Sequence, residues 1–226
     1  GADPNSREPE FGLTPLGEAA AIGSEPVFDI LLSRGADPAV KDNFGGTPLE
    51  EAAFGGFDRL VRRLRSRGLK TAWPLHVAAG VGEVDDVRRL ANRREAIDQL
   101  TPGWGNTPLM FAVNGLQLEA ARVLLERGAN PNLPNRFDYF PLHAAAGAGE
   151  LELCQMLVDH GADVNARVGS GDRPIDWATS PRITAYLRRR GATPADPAVA
   201  GPSRTDWLAK PNGNQRGGNP REVATP

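Results

Sequence analysis

The amino-acid sequence predicts an all-α solenoid, a row of stacked helix–turn–helix units, on three observations. First, Thr-Pro-Leu stands at 14–16, 47–49 and 107–109, with variants at 73–75 (Trp-Pro-Leu), 140–142 (Phe-Pro-Leu) and 173–175 (Arg-Pro-Ile). The steps between these starts are 33, 26, 34, 33 and 33 residues. Second, Gly-Ala-Asp or Gly-Ala-Asn recurs between them at 1, 35, 128 and 161, and Gly191-Ala192 closes the series. Third, apolar residues three to four apart follow in each unit, which places them on one helical face.

Each unit reads in the same order. Thr caps a helix N-terminus, and Pro fits the first helical position because its missing N–H had no partner there. Thr47 with Glu50 forms a capping box. Pairs of small residues follow at Ala19-Ala20, Ala52-Ala53, Ala78-Ala79 and Ala144-Ala145, and let helices approach closely. Gly23, Gly56, Gly82 and Gly149 end this first helix. The second helix carries Phe28, Val61, Val87, Ala121 and Cys154, with Leu31, Leu64, Leu90, Leu124 and Leu157 three residues on. It closes at Gly35, Gly68, Gly128 or Gly161, and an Asn/Asp/Gly-rich stretch leads to the next unit.

Composition bounds the function. With 40% hydrophobic and 24% charged residues, the chain can bury a core. A net charge of -2 and a pI near 6.0 argue against wholesale binding to nucleic acid or anionic membrane, which needs a basic field. No apolar run approaches the roughly 18 to 20 residues of a membrane span. The single cysteine, Cys154, has no partner for an internal disulfide and fits a reducing compartment, so a cytoplasmic location is expected. The chain begins at Gly1 and not Met, which leaves an upstream targeting segment open.

The Thr-Pro-Leu-His-type strings, the Ala-Ala pairs, the Gly turns and Gly161-Ala162-Asp163-Val164-Asn165 together resemble the ankyrin-repeat family. The resemblance covers residues 1–193. It implies stacked helix–turn–helix units with short β-hairpin fingers at right angles. It implies a protein–protein interaction scaffold or adaptor, binding another protein through a concave surface of fingers and first helices. No catalytic activity, cofactor, small-molecule substrate or membrane contact is expected. Two alternatives stand beside this. One is a recruitment segment of a larger enzyme or effector whose catalytic part lies upstream of Gly1. The other is nucleic-acid binding through an Arg-rich convex face.

The chain departs from the family pattern in several places. Gly35 to Thr47 spans 12 residues but Gly68 to Trp73 only 5, so the finger before Trp73 is missing and a notch is expected in the row. Trp73 and Phe140 replace the capping Thr in the two units that carry His76 and His143, which removes the family's Thr–His hydrogen bond. Asp86 stands where other second helices have Val27, Leu60, Ala120 or Leu153, so packing there is in doubt. The last unit, with Arg188, Arg189 and Arg190, reads as a C-terminal cap with a polar outer face. No matching N-terminal cap is present, so either upstream helices precede Gly1 or the first edge is partly exposed. Residues 194–226, with six Pro and four Gly, read as a flexible tail in which Trp207-Leu208 is a docking motif or folds back.

Candidate partner-binding residues follow from this frame. Phe11, Phe44, Trp104 and Phe137 stand at one register of four fingers, with Tyr139 beside the last. They either form an exposed row or pack between neighbouring fingers. Phe54, Met110, Asn114 and Ala148 lie at first-helix positions that face the family's groove, and Trp73 flanks the notch. A basic cluster comprises Arg59, Arg62 and Arg63 with Arg65, Arg67 and Lys70, then Arg88 and Arg89 with Arg93 and Arg94. It either docks an acidic partner or phosphates, or is a solvated face balanced by Asp85, Asp86 and Glu95. His76, His143 and His160 recur at repeat positions, and Cys154 takes an apolar place, so none reads as catalytic. No metal-ligand spacing is present.

Overall fold

A computed structural model describes residues 2–92 and 94–195, the side chains of 94 and 95 apart. Of the residues singled out above, Arg93, the Arg94 and Glu95 side chains, Trp207-Leu208 and all but the first two tail residues lie outside this range. The helices are α1 (Pro15–Ala21), α2 (Glu25–Ser33), α3 (Pro48–Phe54), α4 (Asp58–Ser66), α5 (Pro74–Val81) and α6 (Val84–Leu90). They continue with α7 (Arg94–Ile97), α8 (Pro108–Asn114), α9 (Leu118–Glu126), α10 (Pro141–Ala148) and α11 (Leu151–Asp159). A 3-10 turn, Pro174–Trp177, precedes α12 (Pro181–Arg189). Of these, the single turn α7 has no counterpart in the sequence reading.

Every repeat string opens an inner helix at its Pro. Thr14 Oγ1 accepts from the Gly17 N–H at 3.1 Å, and Thr107 Oγ1 from the Met110 N–H at 3.1 Å. At α3 both halves of the capping box form, with the Glu50 carboxylate accepting from the Thr47 N–H at 2.9 Å. Trp73 and Phe140 supply no cap bond. The inner helices α1, α3, α5, α8, α10 and the 3-10 turn stack in a row, and α2, α4, α6, α9, α11 and α12 lie behind them. The buried layer between runs through Leu16, Leu49, Leu75, Leu109 and Leu142 in front, and Phe28, Val61, Val87, Ala121 and Cys154 behind. In unit one, Ile22, Val27 and Ile30 are exposed. Asp86 avoids the core by turning to Arg89 on its own helix, at 2.6 Å.

Small residues set how near the inner helices come. A Cβ placed on Gly80, inside α5, would lie 2.1 Å from the Ala53 carbonyl oxygen. One placed on Gly115, at the end of α8, would lie 2.1 Å from the Gly80 carbonyl oxygen. Units two, three and four therefore meet backbone to backbone, which no side-chain-bearing residue at 80 would allow.

The fingers are present but are not β-hairpins: no strand forms among the described residues. Each arm is too short for successive ladder pairs, and each tip holds a tight turn bond inside one backbone bond that joins the arms. The joining bonds run from Glu8 N–H to Leu13 O (2.9 Å), Asp42 to Gly46 (2.8 Å), Thr101 to Asn106 (3.0 Å), Asn135 to Tyr139 (3.0 Å) and Val168 to Asp172 (3.0 Å). Side chains do the rest. Asp42 Oδ1 accepts from the Phe44 and Gly46 N–H groups, both at 2.8 Å, and Asn135 Oδ1 from those of Phe137 (3.0 Å) and Tyr139 (3.2 Å). At the finger bases, Asn5, Asn132 and Asn165 each reach forward to the next unit. Asn132 donates to the Gly161 carbonyl at 2.8 Å and accepts from the Asp163 N–H at 2.8 Å. Asn5 and Asn165 bond in the same way toward Gly35 with Asp37 and Gly191 with Thr193. The corresponding position in unit two is Ala39, so this seam lapses where the finger is missing.

Gly80→Ala tests the close approach through its sign. Alanine inside a helix ordinarily stabilises by about 0.5–1 kcal/mol relative to glycine. Here the added methyl must push the Ala53 backbone away, so a loss of about 1–3 kcal/mol is expected in urea unfolding. A gain would show that the inner helices are not in backbone contact.

Candidate partner-binding site

The four finger aromatics meet ring against ring. Phe11 stacks on Trp104 with centroids 5.0 Å apart and planes at 22°. Phe44 touches both, at 6.2 Å from Phe11 and 6.1 Å edge-on to Trp104. Phe137 closes the series 5.1 Å from Trp104. Offset and edge-on contacts of this kind each contribute about 0.5–1.5 kcal/mol beyond their burial. Backbone bonds tie the tips pairwise, from the Asn43 N–H to the Phe11 carbonyl (2.8 Å) and from Arg136 to Trp104 (2.9 Å). Phe44 seats directly on Gly103, where a Cβ would lie 2.1 Å from its ring. The aromatics thus form one cluster and not a row of separate exposed rings. Its outward face belongs chiefly to Phe137, which is 38% exposed.

The same contacts revise the notch. Fingers two and four lean together over the missing third, so the gap is bridged at the tips. Beneath the bridge remains a partly open cleft. Phe44 and Trp104 line it from the tips, Trp73 from the place of the absent finger, and Phe54 and Phe111 from the inner helices. The last two rings meet edge to face at 5.0 Å. Asp42, Glu50 and Glu51 also line the cleft, each 6–8% exposed. Among the described residues the lining includes no Lys, Arg or His. Position explains these acids: Glu50 and Glu51 open α3, where negative charge favours the helix N-terminus, and Asp42 folds its finger tip.

Of the sequence-selected residues, Phe44, Phe54, Trp73 and Trp104 converge on the cleft, with Phe11 and Phe137 on its rim. Two assignments need correction. Met110 is 1% exposed, because its position in α8 turns into the stack and away from the groove. Tyr139 is 3% exposed, its ring held 5.2 Å from Trp177 and 6.2 Å from His143, so it reaches only the cleft's inner wall. Asn114 is half-buried and donates to the Met110 carbonyl at 3.0 Å, away from the cluster. Asp42, Glu50, Glu51 and Phe111 were missed as site residues. The Thr47–Glu50 capping box was the one signal for any of them.

Six arginines of the basic cluster pair with acids on their own helix or on a neighbouring repeat. Arg59 pairs with Glu25 at 3.4 Å, Arg62 with Asp58 at 2.6 Å, and Arg63 with Glu25 at 3.6 Å and with Asp29. Arg65 reaches Glu83 at 2.5 Å, across the seam without a finger. Arg88 pairs with Asp85 (3.4 Å) and Glu119 (3.3 Å), and Arg89 with Asp86 (2.6 Å). Such exposed pairs add little stability each, but they remove the positive field that phosphates would need.

His76 and His143 are buried in the stack. The His76 Nε2–H donates to the Gln99 carbonyl at 2.8 Å and thereby holds the base of finger four; His143 donates to the Asp172 carbonyl at 3.4 Å. With Trp73 and Phe140 in place of Thr, neither Nδ1 has a hydrogen-bond partner among the described residues. Burial lowers both imidazoles to a pKa of about 4. Burial, with the nearby Glu150 charge, pushes the Cys154 thiol up to about 12, far from the thiolate a nucleophile requires.

Comparison with known proteins agrees with this architecture. The family model described as ankyrin repeats (3 copies) matches residues 56–135 and 75–168, and the single ankyrin-repeat model matches 11–43. The chain is 31% identical over 201 residues to human B-cell lymphoma 3 protein, covering 84% of this chain and 44% of that protein. It is 34% identical over 122 residues to mouse Ankyrin repeat and SOCS box protein 9, covering 53% and 41% respectively. The chain therefore spans under half the length of these two relatives. Among solved structures, the human ASB11 ankyrin repeat domain matches with a TM-score of 0.50 and 28% identity, over 86% of this chain and 90% of that one.

Two expectations follow. The histidine pKa values lie below the unfolded value of 6.5, so their stabilising effect is full above 6.5 and is lost as pH falls toward 4. The loss is on the order of 3 kcal/mol per residue. The urea midpoint should fall over this window, and a His76→Gln, His143→Gln double variant should lose most of that slope; a flat wild-type profile contradicts the burial account. Immobilised DNA should not retain the chain even at low salt. Retention that disappears on replacing Arg62, Arg63 and Arg89 by Ala would restore the phosphate reading.

Proposed function

The chain belongs to the ankyrin-repeat family, whose members are in general protein-interaction modules on a typically non-catalytic fold, and from that premise we propose that it is a scaffold or adaptor. The reading places the partner protein on the edge where finger tips and inner helices meet. One observation carries it: Phe11, Phe44, Trp104 and Phe137 join above a concave, aromatic-walled cleft on a stacked frame. Rigid aromatic groups bordering a concavity are what interface hot spots are made of, and a preformed frame has little ordering cost on binding. The reading includes no catalysis and no cofactor. It takes the cytoplasm as the place of action, in keeping with a lone thiol; no described helix is long and apolar enough to cross a membrane.

The test is a pull-down from the native source with the full chain, followed by affinity measurement with Phe137→Ala. Phe137 is the most exposed ring of the cluster and contributes little to the core. Its truncation is expected to weaken the partner by about 2 kcal/mol, roughly thirtyfold, while unfolding stability falls only by about 0.5–1.5 kcal/mol, the worth of its contact with Trp104. Wild-type affinity in this variant would move the interface elsewhere.

A further inference from the structure

We propose that the tip of finger five, at Phe137 and Asp138, is where the partner protein is discriminated, the Asp138 carboxylate receiving a basic side chain of the partner. This deepens the protein-binding reading and rests on it.

Three residues before the repeat Pro, each finger turns through left-handed backbone. Gly12, Gly45, Gly105 and Gly171 make this turn at φ of +72°, +83°, +66° and +88°, and Asp138 makes it at +55°. Glycine enters the region freely, whereas a Cβ crowds the following carbonyl. Aspartate offsets that cost where its side chain bonds the nearby backbone. Here the task is already done, because Asn135 Oδ1 accepts from the Phe137 and Tyr139 N–H groups at 3.0 and 3.2 Å. Among the described residues the Asp138 carboxylate accepts no hydrogen bond and forms no ion pair. It is exposed and leans toward finger six, where a Cβ added to Gly169 would still lie 3.9 Å from its Oδ2. The fold therefore keeps the less favourable residue and makes no use of its side chain. Two positions on, Phe140 stands where Thr14, Thr47 and Thr107 cap their helices, and α10 opens without a cap bond. Two local rules fail within three residues, which is expected where function and not folding selects the side chains.

The neighbours select the partner chemistry. Phe137, next in the chain, rests one face on Trp104 at 5.1 Å and shows the other to solvent. Arg136, beyond it, lies back over Gly105 of finger four, where an added Cβ would be 3.1 Å from its Cγ. A free carboxylate beside an exposed ring suits a cation on an apolar stem: the carboxylate accepts its donors, and the ring covers the methylenes and attracts the charge. An acidic group would be repelled there, and an apolar one would strip water from the carboxylate and return no hydrogen bond. A charge at the rim of an interface governs encounter and choice of partner more than raw affinity.

The experiment compares the full wild-type chain with Asp138→Asn and Asp138→Gly. Asparagine keeps the shape and the tolerance of left-handed backbone and removes the charge; glycine removes the side chain. In urea, the unfolding midpoint is expected to rise for Asp138→Gly and to stay near wild type for Asp138→Asn. A lower midpoint for Asp138→Gly would mean that Asp138 serves the fold, and overturns the proposal. The binding probe is a phage-displayed library of random linear peptides, selected at low salt on the immobilised wild-type chain. The selected peptides are expected to carry Lys or Arg, to bind both variants roughly tenfold more weakly or worse, and to lose affinity as salt rises. Peptides without a basic residue, equal binding to Asp138→Asn, or no selected peptide would each overturn it. A captured partner that Phe137→Ala weakens and Asp138→Asn does not also removes it and leaves the protein-binding reading standing. Loss of that partner in Asp138→Asn, at an unchanged urea midpoint, supports both.

Discussion

The carbonyl oxygen of Ala53 occupies the place where any side chain at position 80 would begin, and most of the architecture descends from that contact. A helix–turn–helix unit of this size cannot bury its own apolar faces, so each depends on the next for a core. Glycine and alanine at the crossing points bring the inner helices of units two to four to backbone distance. That spacing carries into the fingers. It delivers the tips close enough for rings from units one, two and four to touch, and for one backbone N–H to bond the neighbouring tip. The aromatic cluster is thus a consequence of how tightly alanine-rich helices stack some distance away.

Deleting one finger did not simply thin the row. Its neighbours closed over the vacancy, Phe44 onto Gly103, and kept a roofed concavity below. The same deletion interrupts the Asn seam at Ala39 and leaves Arg65 and Glu83 to bridge the second and third units from behind. A uniform array would hold every interface with the same bonds and would have no distinctive point along its length. Here the irregular unit concentrates aromatic rings, buried acids and altered inter-unit bonding at one place.

The period, the caps and the buried layer were legible because each depends on residues close in sequence or on a register that repeats. Thr47 with Glu50 declared itself within four positions, and the leucines of the core recur at fixed offsets. The ring contacts were not legible in full. Register placed Phe11 and Trp104 on one edge, but their distance depends on three intervening units and on how a missing finger is accommodated. Met110 is buried because its place in α8 turns into the stack, and Tyr139, in a finger arm, because its ring packs against Trp177 and His143; neither follows from a sequence offset. Hairpin fingers were inferred by resemblance, and the short arms with Asp42 and Asn135 at their corners settle into turns. The basic cluster looked one-sided because its counter-ions, Glu25, Asp29, Glu83 and Glu119, belong to neighbouring repeats.

The lone Cys154 has a use beyond filling space. Its sulfur is sealed between α11 and the stack, and burial keeps it protonated at any ordinary pH. A thiol-directed reagent must wait for unit five to come apart before it can react. With one such atom in 226 residues, the rate of alkylation is a clock for the opening of a single repeat, read by mass without any added label.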